Sequence, residues 1–230
     1  MHFLVDGFNL YHSIKAAEKR LGSGPLRWLD LEGMCTTILR SSLGPAAVST
    51  GITYFSAFAM HLQATRPDVV TRHRRYREAL EATGVTTSFA AFKRKDRRVG
   101  LDQVRIRLGG LRRRIQVRFP WVQLEFRTHE EKETDVAIAC KLLELLHRDA
   151  ADAIVLVTGD TDLAPAIRTA RNLFPASPIC IAFPFERFNQ ALVALASRHF
   201  KLGADTYQRH QLPDPISAVG GRQIAKPASW

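Results

Sequence analysis

The sequence predicts a three-layer α/β domain around a mostly parallel central sheet. Two observations carry this. Short continuous apolar runs, such as Ala153-Ile154-Val155-Leu156-Val157 and Ile179-Cys180-Ile181, are of the kind buried on both faces of a parallel sheet. They alternate with segments whose apolar residues recur at helical spacing, which places helices on the faces of such a sheet. The length of 230 residues suits one such domain with a modest insertion.

Each element follows in order. Phe3-Leu4-Val5, closed by Asp6-Gly7, reads as a first strand. Residues 29–39 carry Leu31, Met34, Cys35, Ile38 and Leu39 at helical spacing. Residues 52–58, rich in β-branched and aromatic side chains, read as a second strand. Residues 69–82 read as a helix charged on one side by Arg72, Arg74, Arg75 and Arg77 and ended by Gly84. Residues 85–92 read as a third strand. Periodicity then weakens over residues 93–127, a basic insertion in which residues 122–126 suit a strand. From Thr134 a helical face runs through Val136, Ala139, Cys140, Leu143 and Leu146. After the strand at 153–157 come a helix at 162–172, a strand at 179–181, a helix at 187–197 and a short strand at 199–202. Beyond Tyr207 the chain is polar and carries Pro213, Pro215, Gly220, Gly221 and Pro227, so residues 208–230 are expected to be a loose tail after a domain of residues 1–207.

Composition narrows the function. Hydrophobic residues make up 46% of the chain, and no apolar run approaches the ~20 residues that span a bilayer. Met1-His2-Phe3-Leu4-Val5-Asp6 lacks the basic start and long apolar stretch of a secretory signal, so a cytoplasmic location is expected. Cys35, Cys140 and Cys180 are far apart and form no C-x-x-C pair; buried thiols are expected, not a zinc ribbon. The net charge is +11, which favours a polyanionic partner, nucleic acid ahead of membrane. Residues 93–127 hold twelve Lys or Arg against three acids, a net +9. Lys93, Arg94, Lys95, Arg112, Arg113 and Arg114, with Phe119 and Trp121 nearby, are the expected contacts to RNA, single-stranded where aromatics stack on unpaired bases. Against that stands a solvated surface loop. No H-E-x-x-H, P-loop or G-x-S-x-G pattern supports zinc hydrolysis, nucleotide cradling or a serine nucleophile.

In parallel sheets the reactive groups collect beyond the carboxyl ends of the strands. Three acidic places fall there: Asp6 after the first strand, Asp135 opening the helix before the fourth, and Asp160 with Asp162 in Thr158-Gly159-Asp160-Thr161-Asp162. Singly, each has an ordinary reading as a turn residue, a helix cap or a partner of the helix dipole. Together, carboxylates at one edge repel unless cations neutralise them. Hard oxygen donors select Mg²⁺ or Mn²⁺, a setting suited to phosphodiester hydrolysis by activated water.

Val5-Asp6-Gly7-Phe8-Asn9-Leu10, Glu131-Lys132-Glu133-Thr134-Asp135-Val136-Ala137 and Val157-Thr158-Gly159-Asp160-Thr161-Asp162 resemble the three signature segments of the NYN domain family, in the family's order. The resemblance implies a PIN-like nuclease fold and a metal-dependent endoribonuclease. It implies Asp6, Asp135, Asp160 and Asp162 as metal ligands, with Asn9 and Thr158 as polar supports. Two departures stand out. Lys141 occupies a helix position where many relatives carry a further acid, so one metal rather than two is an expectation if Lys141 leans toward the site. The cysteine-paired knuckle of some relatives is replaced by the arginine-rich insertion. The alternatives are a non-catalytic RNA-binding or regulatory protein on the same fold and, less well supported, a phosphatase. The latter wants an acid two residues after Asp6, where Phe8 stands.

Overall fold

The protein is described from a computed structural model, over residues 1–44, 46–100, 105–107, 114–116 and 123–230. In chain order the strands and α-helices are β1 (His2–Asp6), α1 (Gly7–Leu21), α2 (Leu31–Leu43), β2 (Gly51–Phe58), α3 (Asp68–Ala82), β3 (Thr86–Gly100), β4 (Arg105–Arg107), β5 (Arg114–Gln116) and β6 (Gln123–Lys132). They continue with α4 (Thr134–His147), β7 (Ile154–Val157), α5 (Ala164–Leu173), β8 (Ile179–Phe183), α6 (Gln190–Val193), β9 (Arg198–Lys201), α7 (Ala204–Arg209), β10 (Ile216–Ser217) and β11 (Gln223–Ile224).

Seven strands form one sheet in the order β6-β3-β2-β1-β7-β8-β9. All pairs are parallel except β3 with β6. Alternation along β1 divides the interior. Phe3 and Val5 enter a core with α1, α2 and α3, while Leu4 enters the opposite core with α4 and α5. Burial on both faces explains why β7 and β8 are continuous apolar runs, at about 1.5–3 kcal/mol for each large side chain removed from water. The chain leaves β1 through α1 on one face and leaves β7 through α5 on the other. Diverging exits from adjacent parallel strands open a crevice at their carboxyl ends, the topological switch point.

Three differences from the sequence expectations have physical reasons. Helix α1 was not anticipated, because its buried apolar positions are few: Leu10, Ile14 and Ala17 among Lys15, Glu18, Lys19 and Arg20. The helix expected over 187–197 is a single turn at Gln190–Val193, started by an Asn189 side chain that accepts from the Ala191 amide. Residues 208–230 are packed, not loose. Leu212, Ile216 and Ile224 are buried in the first core, and the Trp230 ring meets Trp28 and Tyr76 at 6.4 and 5.7 Å.

The basic insertion is partly ordered as sheet. Strand β2 accompanies β3 only as far as Ala91, opposite Phe58. Beyond that point β3 pairs with β6 alone, from Phe92 opposite Glu131 to Gly100 opposite Gln123. A two-stranded ribbon therefore projects past the carboxyl edge of the sheet. Residues 93–98 on it are exposed. Arg114 lies in the short β4–β5 pair, and Arg112, Arg113, Phe119 and Trp121 lie outside the described residues.

Candidate metal centre

Asp6 ends β1 and is also the residue that caps α1. Its Oδ1 accepts from the Asn9 amide at 3.0 Å and its Oδ2 from the Thr158 hydroxyl at 2.8 Å. Thr158, directly after β7, is buried, and its Oγ1 accepts in turn from the Asp160 amide at 3.0 Å. Asp160 caps the short 3₁₀ turn Thr161–Leu163 by accepting from the Asp162 amide at 3.0 Å. The Asn9 side chain joins the two strand ends by accepting from the Gly159 amide at 3.0 Å. The third acid arrives from α4. Glu133 turns the chain out of β6 with a left-handed φ of 84°, which sets Asp135 in the first helical turn.

Asp6, Asp135 and Asp160 each bring a carboxylate oxygen into a group whose members lie within 4.8 Å of one another. Burial pushes the Asp6 carboxyl above its ordinary range. The Asn9 amide and the Thr158 hydroxyl oppose that rise, and the Asp160 charge adds to it. Such crowding is relieved by a cation, and an all-oxygen donor set suits a hard divalent ion such as Mg²⁺ or Mn²⁺. Asp162 is exposed and stands outside this group; its amide serves the Asp160 carboxylate.

The carboxylates line an open pocket of about 240 Å³ together with Phe8, Asn9, His12, Thr134 and Arg187. Sequence reasoning missed Phe8, His12 and Arg187 as site residues, since none belongs to an acidic motif. Burial, then the nearby Arg187 and Lys15 cations, hold the His12 imidazole below its usual pKa. Arg187 reaches the pocket because its segment lies against the β7 turn. A Cβ on Gly159 would sit 1.9 Å from the Arg187 carbonyl oxygen, so only glycine permits this approach.

Lys141 does not lean toward the carboxylates. Its ammonium lies 3.1 Å from Glu144, and its charge acts on His2 at the opposite end of β1. Of the expected RNA contacts, Lys93 pairs with Glu133 at 2.9 Å and Arg94 with Asp96 at 3.0 Å on the ribbon. The Lys95 carbonyl accepts from the Thr128 hydroxyl of β6 at 3.1 Å. Exposed pairs of this kind are worth about 0–1 kcal/mol, so a phosphate can compete for the cations.

The fold and centre define a class: an α/β/α protein with carboxylates gathered at the switch point of a mostly parallel sheet. The NYN domain model matches residues 3–203, and the chain belongs to the NYN domain family. No curated protein matches the chain. A solved structure, a protein of unknown function from Vibrio parahaemolyticus RIMD 2210633, is similar over 92% of this chain and 94% of its own. Its TM-score is 0.52 and its identity 13%, a likeness of fold.

Proposed function

We propose that this protein is a Mg²⁺- or Mn²⁺-dependent endoribonuclease acting on single-stranded RNA. The observation that carries the reading is the convergence of Asp6, Asp135 and Asp160 at the switch point. These three residues would hold the ion, which when bound supplies charge to polarise a phosphate and activate water. The protein's own groups do the rest. Thr158 and the Asn9 amide orient Asp6, and the Asp160 amide ties the two strand ends through Thr158. Arg187 brings a cation to the pocket, suited to the phosphate oxygens. His12, whose pKa is held down by burial and by Arg187 and Lys15, lines the pocket and is placed to accept a proton. The ribbon, projecting from the same edge, supplies sequence-independent attraction for the RNA backbone.

The test is incubation of labelled single-stranded RNA with the protein, with Mn²⁺, Mg²⁺ or chelator. Internal cleavage is expected with metal and none with chelator, and Asp160→Asn should lower the rate roughly 10²–10³-fold or more. RNA binding without metal-dependent cleavage would favour a non-catalytic role on the same fold.

A further inference from the structure

A second cavity of about 450 Å³ adjoins the carboxylate pocket, and Phe8 and His12 line both. It lies among α1, the end of β2, α3 and the root of the ribbon. Resting on the hydrolytic reading above, we propose that this cavity is a subsite for one unstacked nucleobase, that of a nucleotide joined to the phosphate at the carboxylates.

Four features favour that occupant. The volume falls in the range of pockets that enclose small ligands, about 300–1,000 Å³. The wall nearest the carboxylates is aromatic: Phe8 and Phe92 stand 5.7 Å apart, and Phe92 and His61 stand 4.6 Å apart. Planar rings of this sort stack on any base. The lining also holds an uncharged polar pair. Ser56 and His73 lie 3.3 Å apart there, and burial holds His73 down to about 4, so its ring is neutral at physiological pH. Neutral donors and acceptors read base edges. Finally, no Asp or Glu lines the cavity among the described residues, whereas Lys15 and Arg66 do. That charge excludes a cationic ligand and suits a phosphodiester.

The shared wall dictates the geometry. A nucleotide whose phosphate meets the carboxylates need only turn its base past Phe8 to enter. A base held in a duplex cannot make that turn, so the subsite selects single strands or unpaired loops.

The experiment compares calorimetric binding of AMP, UMP and ribose 5-phosphate to the full chain in Mn²⁺, with parallel Mn²⁺ titrations. The nucleotides should bind about tenfold or more tightly than the base-free phosphate. Ala59→Trp, which fills the cavity, should reduce that preference to under twofold. His61→Ala, a milder change, should reduce it severalfold. Both variants should bind Mn²⁺ as the parent does, which also shows that they are folded. Asp160→Asn should weaken Mn²⁺ binding while keeping the base preference. No preference in the parent, or an undiminished one in folded Ala59→Trp, would overturn the subsite. If the preference is found but RNA is not cleaved, the hydrolytic reading fails and the subsite stands. Cleavage without a base preference removes the subsite alone.

Discussion

At the switch point three carboxylates share a space under 5 Å across, and hydrogen bonds from the Asn9 amide and the Thr158 hydroxyl, the latter tied to the Asp160 amide, set the direction of Asp6. On the ribbon, the cations at 93–98 spread along one strand edge, exposed and in pairs that water screens. Both regions rise from the same edge of the sheet, yet they use charge differently. In the centre, position is over-determined and the cost is a carboxyl forced out of water. On the ribbon the cations stay in water and the cost is small. A chemical step needs the first kind of order, and attraction of a polyanion needs only the second.

The sharpest way to break this contrast is at Asp6. Asp6→Asn should remove metal-dependent cleavage, with a loss of roughly 10²–10³-fold or more. Without metal it should also melt higher, by roughly 2–4 °C, the equivalent of about 1 kcal/mol in a chain of this size, because a buried charge is gone. Thermal melts in chelator and cleavage assays in Mn²⁺ check the two halves; an unaltered rate would remove Asp6 from the centre. Thr158→Val should come next. It keeps the shape of the side chain and deletes the hydroxyl that links Asp6 to Asp160, so Mn²⁺ affinity should fall about 10–100-fold. Calorimetry that finds parent-like affinity would show that the relay does not orient the ligands.

On the ribbon the expected effects are smaller and of another kind. Replacing Lys93, Arg94 and Lys95 by alanine should leave Mn²⁺ affinity unchanged and weaken RNA binding across all sequences. The log–log salt slope should drop by about 0.7 per lost phosphate contact. The same measurement on Arg112, Arg113 and Arg114 replaced by alanine reports whether the grip extends into the rest of the insertion. An unchanged slope in both would place the grip elsewhere, and the Arg72 to Arg77 face of α3 is the next surface to test. The smallest effect is expected at Lys141. Its pairing with Glu144 predicts that Lys141→Asp leaves Mn²⁺ stoichiometry as in the parent. A second ion bound by that variant would show that the side chain acts at the centre after all.

Which parts were legible in the sequence follows the same division. Asp6, Asp135 and Asp160 could be read because strand ends and helix starts have local signatures, and parallel topology brings such ends together. Asp162 shares the motif of Asp160 but stands outside the group of three; its amide serves the Asp160 carboxylate, and spacing alone does not separate the two. Arg187 and His12 were invisible because their roles depend on a contact across the fold, the approach of the 187 segment to Gly159. The packed end of the chain was missed for a related reason. Leu212, Ile216 and Ile224 form no periodic stripe, and each is buried by tertiary neighbours. The ribbon was partly hidden, because a strand that pairs beyond the sheet needs no alternation of apolar and polar residues.

The hydrogen bond between Asp6 and Thr158 joins residues 152 apart in the chain. Until β7 has docked beside β1, the amino-terminal carboxylate has neither its hydroxyl partner nor its acidic neighbour. A ribosome delivers Asp6 early and Asp160 late, and contacts of such long range form slowly. A nascent chain therefore carries its basic stretch before it carries an assembled centre. Synthesis itself keeps the acids apart until the sheet closes around them.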